Sequence, residues 1–82
     1  MSNLETLRQA ADSAYRAYNA ASEEASAAWK RHLASPDRFD RATFTEYTAA
    51  CDKRNEVFEV FRAASKAWAE AEKASRPAFK FV

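Results

Sequence analysis

The chain has no glycine among its 82 residues. Average usage of about 7% would supply roughly six. Without them, tight β-hairpins of the Asn-Gly kind and glycine-dependent left-handed turns are unavailable, and an all-α chain is expected. Glycine-rich phosphate loops are excluded for the same reason. Cysteine occurs once, as Cys51, so no disulfide can form within the chain, a usage that suits a reducing compartment. Proline occurs only as Pro36 and Pro77, the two strong breaks in the pattern. Long apolar runs are missing too. No stretch approaches the ~20 residues that span a bilayer, and MSNLETLRQAAD lacks the basic-then-apolar order of a leader. The expectation is a cytoplasmic protein with no membrane role. An excess of charge is also absent: 13 Lys and Arg against 12 Asp and Glu leave +1, neither a basic footprint for nucleic acid nor an acidic surface imitating it.

What is present is apolar and aromatic. The hydrophobic fraction is 48%, with two Trp, three Tyr and six Phe, a composition that folds rather than stays disordered. One domain is the limit for this length, near the size at which a single core barely suffices. The central stretch runs from Phe44 to Glu72. There Phe44, Tyr47, Cys51, Arg54, Phe58, Phe61, Ser65 and Trp68 alternate steps of three and four, the spacing of one helical face. Upstream, Leu4, Leu7, Ala11, Ala14, Tyr18, Ala21, Ala25, Ala28 and His32 follow the same rule with small residues.

Helix boundaries follow from start and stop signals. Ser2 to Glu5 forms a capping box, which predicts a first helix over about 3–34. Ser35 before Pro36 is one restart signal, and Thr43 with Glu46 is a second capping box. The second helix therefore starts at 36 or 43, with a near-continuous helix from Pro36 and an irregular first turn preferred, and ends near 75 ahead of Pro77. The predicted organisation is an antiparallel two-helix hairpin over 1–76 and an extended tail over 77–82.

If facing residues sum to about 77, Tyr18 and Ala21 meet Phe58, Ala14 meets Phe61 and Ser65, and Leu7 and Ala11 meet Trp68. Large residues then oppose small ones, as close packing requires. The same register places Arg54 opposite Glu23 and Glu24, where it either forms an interhelical ion pair or runs its stem along the seam to solvent. The tail alternates apolar and polar residues. It either folds back near Leu4 and Leu7 or docks on a partner through Phe79 and Phe81.

More apolar surface remains than one seam can bury. Tyr15, Ser22 and Trp29 on the first helix, and Val57, Val60, Ala64, Ala67 and Ala71 on the second, widen the apolar arc. A homodimer stacked into a four-helix bundle by coiled-coil-like packing would cover them, with Trp29 the expected anchor.

No catalytic constellation stands out. His32 at the end of the first helix reads as a group that caps carbonyls and complements the helix dipole, and Cys51 as a small buried apolar residue. Glu56 and Glu59 lie one turn apart but lack the histidines of a carboxylate-bridged metal site. No cofactor or metal is therefore expected. Lys30, Arg31, His32, Arg38 and Arg41 gather at the hairpin tip against Asp37 and Asp40, a weak basic patch.

The reading is a non-catalytic protein-protein interaction module. It would be a small inhibitor or adaptor that occupies a partner's surface, through candidates Tyr15, Trp29, Val57, Val60, Phe79 and Phe81. Small phage-encoded antagonists of bacterial defence systems share this composition, an analogy with no motif behind it. The alternatives are nucleic-acid binding through Lys30, Arg31, Arg38 and Arg41, or a structural subunit of a larger assembly.

Overall fold

A computed structural model describes residues 3–37 and 39–75, and over these the protein is an antiparallel helical hairpin without strands. Helix α1 spans Asn3–Ala34 and helix α2 spans Arg41–Ser75. No glycine or proline interrupts either. In α1 the charges follow the dipole, with Glu5 in the first turn and Arg31 and His32 in the last.

The buried residues among those described are four alanines of α1: Ala11, Ala14, Ala25 and Ala28. They occupy the same two positions of a seven-residue repeat, two repeats apart, with Tyr18 and Ala21 half-buried between them. Their methyl groups let the backbones approach and leave room for rings to lie across the seam. Tyr18 meets Phe58 at a centroid distance of 5.4 Å and Phe61 at 6.2 Å. Trp29 meets Tyr47 at 4.9 Å, and His32 meets Phe44 at 5.6 Å. The numbers in each pair sum to 76 or 79, so the expected register near 77 holds from the middle of the hairpin to its tip. Ring pairs of this geometry contribute about 0.5–1.5 kcal/mol each beyond the area they bury.

This core is a strip, one helix layer thick. The Cα trace is only 14 Å deep and its radius of gyration is 19.0 Å, against about 12 Å for a compact domain of this length. No large side chain is fully buried among the described residues. The ion pairs Glu5–Arg8, Asp12–Arg16 and Glu24–Arg31 are exposed and contribute little to stability.

The connection corrects the expected start of α2. Neither Pro36 nor Thr43 begins it; Asp40 is the N-cap. Its Oδ1 accepts from the amides of Ala42 and Thr43 at 3.0 and 3.3 Å, and its carbonyl accepts from Phe44 N–H at 3.1 Å. Its Oδ2 accepts from the Ser35 hydroxyl at 3.1 Å, which ties the cap back to the end of α1. Asp37 orders the turn itself, with Oδ1 accepting from Phe39 N–H at 2.9 Å and its carbonyl from Asp40 N–H at 3.1 Å. The Thr43 box fails because an aspartate three residues earlier is the stronger cap, and Thr43 inside the helix is free to serve the interface instead. At the other end Ser2 lies outside the described residues, and Glu5 turns to Arg8 and Gln9.

The expected Arg54 ion pair is also absent. Arg54 is half-buried in the seam, and no salt bridge joins it to Glu23 or Glu24 among the described residues. Glu24 is taken by Arg31 at 3.2 Å, and Arg31 also spans the helices to Glu46 at 3.7 Å. A guanidinium already beside Glu24 removes the attraction Arg54 would have needed.

Two outcomes follow from the seam and the cap. Ala28→Leu, at a side chain 1% exposed, costs about 1–3 kcal/mol by overpacking, whereas Ala20→Leu on the outer face changes stability by less than about 0.5 kcal/mol. Urea unfolding followed by helical circular dichroism measures both. Hydrogen bonds, first from the Thr43 amide and then from the Ser35 hydroxyl, hold Asp40 below its ordinary 3.8. A carboxylate lowered in the folded state stabilises fully above its unfolded pKa, and that contribution is lost as pH falls through the folded value. Asp40→Asn, which keeps an acceptor but cannot titrate, therefore flattens the drop in melting temperature on acidification below about pH 5.

Candidate interaction surface

The expected contact residues fall into four groups. Tyr15 and Trp29 do not lie beyond the seam. Tyr15 packs on Phe61 at 5.4 Å and Trp29 on Tyr47, yet they remain 48% and 41% exposed. They border the seam, in contact with α2 and part-exposed to solvent. Val57 is half-buried, as are Ala64 and Ala71 on the same row, because the buried side of α2 is turned toward that row. Val60 points outward and is exposed. Phe79 and Phe81, with the whole 77–82 tail, and Arg38 lie outside the described residues.

The aromatic stripe of α2 is only partly covered. Phe44 and Phe58 sit on the expected seam but stay 49% and 40% exposed, since a single neighbouring helix can shield only one side of each ring. Where Tyr15 faces Phe61, an open groove runs between the helices, lined by Arg8, Ala11 and Asp12 of α1 and by Ser65, Trp68 and Ala69 of α2.

At the tip, His32 acts differently from a carbonyl cap. Its Nδ1 is hydrogen-bonded to Thr43 Oγ1 at 2.8 Å, and its ring lies 5.7 Å from Trp29. With the Phe44 contact, this clamps the last turn of α1 onto the first turn of α2. His32, Phe44, Arg41 and Phe39 then line a shallow concavity. Phe39 is 91% exposed and Leu33 is exposed beside the tip. Sequence reasoning passed over Phe39, although a signal existed. A phenylalanine between Asp37 and Asp40 in a turn has no helical period to bury it.

The basic tip is partly neutralised where it stands. Lys30 and Arg41 are exposed, but Arg31 is shared between Glu24 and Glu46. Cys51 is half-buried rather than buried, and its thiol lies beside the Tyr47 hydroxyl one turn earlier, pushing that phenol above its ordinary 10.0. Glu56 and Glu59 are exposed. Among the described residues no three His, Cys, Asp or Glu side chains are grouped to hold a metal ion, and no helix is long and apolar enough to cross a membrane.

The exposed and the structural aromatics separate by mutation. Tyr18→Ala, which removes two ring contacts across the seam, costs about 3 kcal/mol. Phe39→Ser costs less than about 0.5 kcal/mol. Thermal and urea unfolding of the two variants give the comparison.

Compared with protein-family models, with curated proteins and with solved structures, the chain matches none of them.

Proposed function

We propose that the protein is a non-catalytic protein-protein interaction module, an inhibitor or adaptor of the cytoplasm that presents its hairpin tip to a partner protein. The observation that carries this reading is Phe39, 91% exposed on a turn whose geometry is fixed by Asp37, Asp40 and Ser35. An exposed aromatic on a flexible loop loses conformational freedom on binding, whereas one on a hydrogen-bonded turn has lost much of it already. Leu33 and the ring edge of Phe44 extend the apolar contact, and Lys30 and Arg41 provide a polar rim, the arrangement of an interface centre and its border. A phage-type antagonist of a bacterial defence system is one protein of this kind, and the analogy is compositional.

Nucleic-acid binding by the same tip has less support. Arg31 is engaged by two carboxylates, and Asp37 and Asp40 stand beside Arg41. Phosphate contacts need cations free of such neighbours.

The test is a photo-crosslinking residue at position 39, introduced in cells that carry the protein, followed by nuclease treatment and mass spectrometry. The expected product is a nuclease-resistant adduct with one other protein, competed away by the native chain but not by Phe39→Ser. An adduct that nuclease removes would transfer the reading to nucleic acid. Adducts with further copies of the chain alone would indicate a subunit of an assembly.

A further inference from the structure

One level of the seam differs from those on either side of it. Tyr15 faces Phe61 and Trp29 faces Tyr47, at centroid distances of 5.4 and 4.9 Å, and the numbers in each pair sum to 76. Midway between them the same sum sets Ser22 opposite Arg54. The three levels are seven residues apart on each helix, about 10.5 Å along the axis. A hydroxyl and a guanidinium therefore stand where the levels to either side hold rings.

The hairpin provides neither group with a partner of its own. Arg54 is half-buried, and among the described residues no carboxylate forms an ion pair with it. Arg8, Arg16 and Arg31 each have such a carboxylate. Arg41 and Arg62 do not, but they are exposed, where water solvates them. The Tyr47 phenol, raised above 10.0 by the Cys51 thiol, also feels the charge of Arg54 in the opposite direction. Across the seam, the Ser22 hydroxyl is buried without a hydrogen-bond partner.

These levels lie along an open edge. The groove that Tyr15 and Phe61 share with Trp68 and Ala69 opens there, and both Tyr15 and Trp29 are part-exposed. Arg8 and Asp12, which also line that groove, are paired within α1 to Glu5 and Arg16.

We infer that this edge is a docking groove for a helix of a partner protein that carries one Asp or Glu within an apolar face, with the carboxylate against Arg54 and the apolar side chains on the ring pairs to either side.

Charge decides what the middle of the groove accepts. A half-buried guanidinium keeps water on its open side, and an occupant that removes this water without replacing it leaves a cation desolvated and unpaired. A wholly apolar segment does that, and a basic one adds repulsion. A second copy with its axis at this level would set Arg54 against Arg54. A carboxylate replaces the lost water with a charge-assisted hydrogen bond, and the Ser22 hydroxyl is a further donor at the same level.

The rings decide what the flanks accept. Tyr15 and Trp29 gain burial only from apolar contact, so a uniformly acidic segment leaves that gain unused. Spacing then favours a helix, because side chains seven residues apart on a partner helix recur at the same interval of about 10.5 Å and meet all three levels from one face.

The test presents the immobilised full chain with a displayed library of three-heptad helices, with leucine seven residues before and after a central position varied among all residue types. Asp or Glu is expected at the centre of the selected helices. In the synthetic peptide, its replacement by Asn or Gln is expected to weaken binding about 30-fold or more. Arg54→Glu, with helical circular dichroism unchanged, is expected to move the selection to Lys or Arg. Arg54→Met, which keeps the stem in the seam, is expected to abolish the preference for a central acid. Phe39→Ser leaves the selection as it is, so the groove and the tip stand or fall separately. The proposal is overturned if no helix is selected, if the selected helices lack a central acid, or if Arg54→Glu selects the same ones. Prior occupancy overturns it too. A native chain that sediments as a dimer dispersed by the peptide gives the groove to a second copy, and a photo-crosslinker at position 22 that captures residues 76–82 gives it to the tail.

Discussion

The close approach of two helices along an alanine seam is the contact on which the other features rest. Ala11, Ala14, Ala25 and Ala28 are buried but each contributes only a methyl group, so their role is mainly geometric. They keep the backbones near enough for the rings of α2 to reach across to Tyr15, Tyr18, Trp29 and His32. In globular cores large apolar side chains fill the space between elements. Here the space is closed by removing side chains from one helix, and the aromatics of the other are laid over the edge. The cost of that solution is exposure, since a ring resting on a flat alanine surface is covered from one side only.

The turn has to satisfy a constraint set by the seam. With facing residues summing to 76, the chain must reverse between Ala34 and Arg41 without glycine, and it has six residues in which to do so. Two aspartates provide the hydrogen-bond acceptors that glycine conformations would otherwise make unnecessary. Asp37 forms the turn, and Asp40 caps α2 while accepting from Ser35 at the end of α1. His32 to Thr43 closes the same junction from the side. The tip is thereby held by side chains that come from both helices, and Phe39 is exposed on it.

Most of the hairpin was legible in the sequence because it depends on periodicity. Steps of three and four, the absence of glycine and the break at Pro36 located both helices, and opposing large to small residues gave the register. The cap was misread because Thr43 with Glu46 matches a pattern, whereas Asp40 has no glutamate at the third helical position and works through Ser35, a residue across the turn. Arg54 was misassigned for a related reason. Register arithmetic gives which residues are near, but Arg31, two turns after Glu24 on the same helix, had already engaged that carboxylate. The surface was less legible still. Tyr15 and Trp29 were expected outside the seam, yet they border it, because the sequence pattern does not show how far α2 is rotated toward Val57 and Ala64. Phe39 carried its signal in the turn, away from any periodic run.

A hairpin this thin couples folding to binding. Its seam supplies a handful of ring contacts and four buried methyl groups, and chain entropy opposes them at about 1–2 kcal/mol per ordered residue. Any surface that covers Phe44, Phe58, Tyr15 and Trp29 on their open sides adds burial to the same rings that join the helices, so the ligand of that face is also a stabiliser of the fold. At a concentration one hundred times its dissociation constant such a ligand contributes about 2.7 kcal/mol, comparable with two or three of the ring pairs themselves. Substitutions in this face therefore change stability together with the binding of any such ligand, whereas those at Phe39, which touches the fold so little, leave stability nearly unchanged. That difference in physical coupling separates an aromatic face that is part of the fold from a tip that is not.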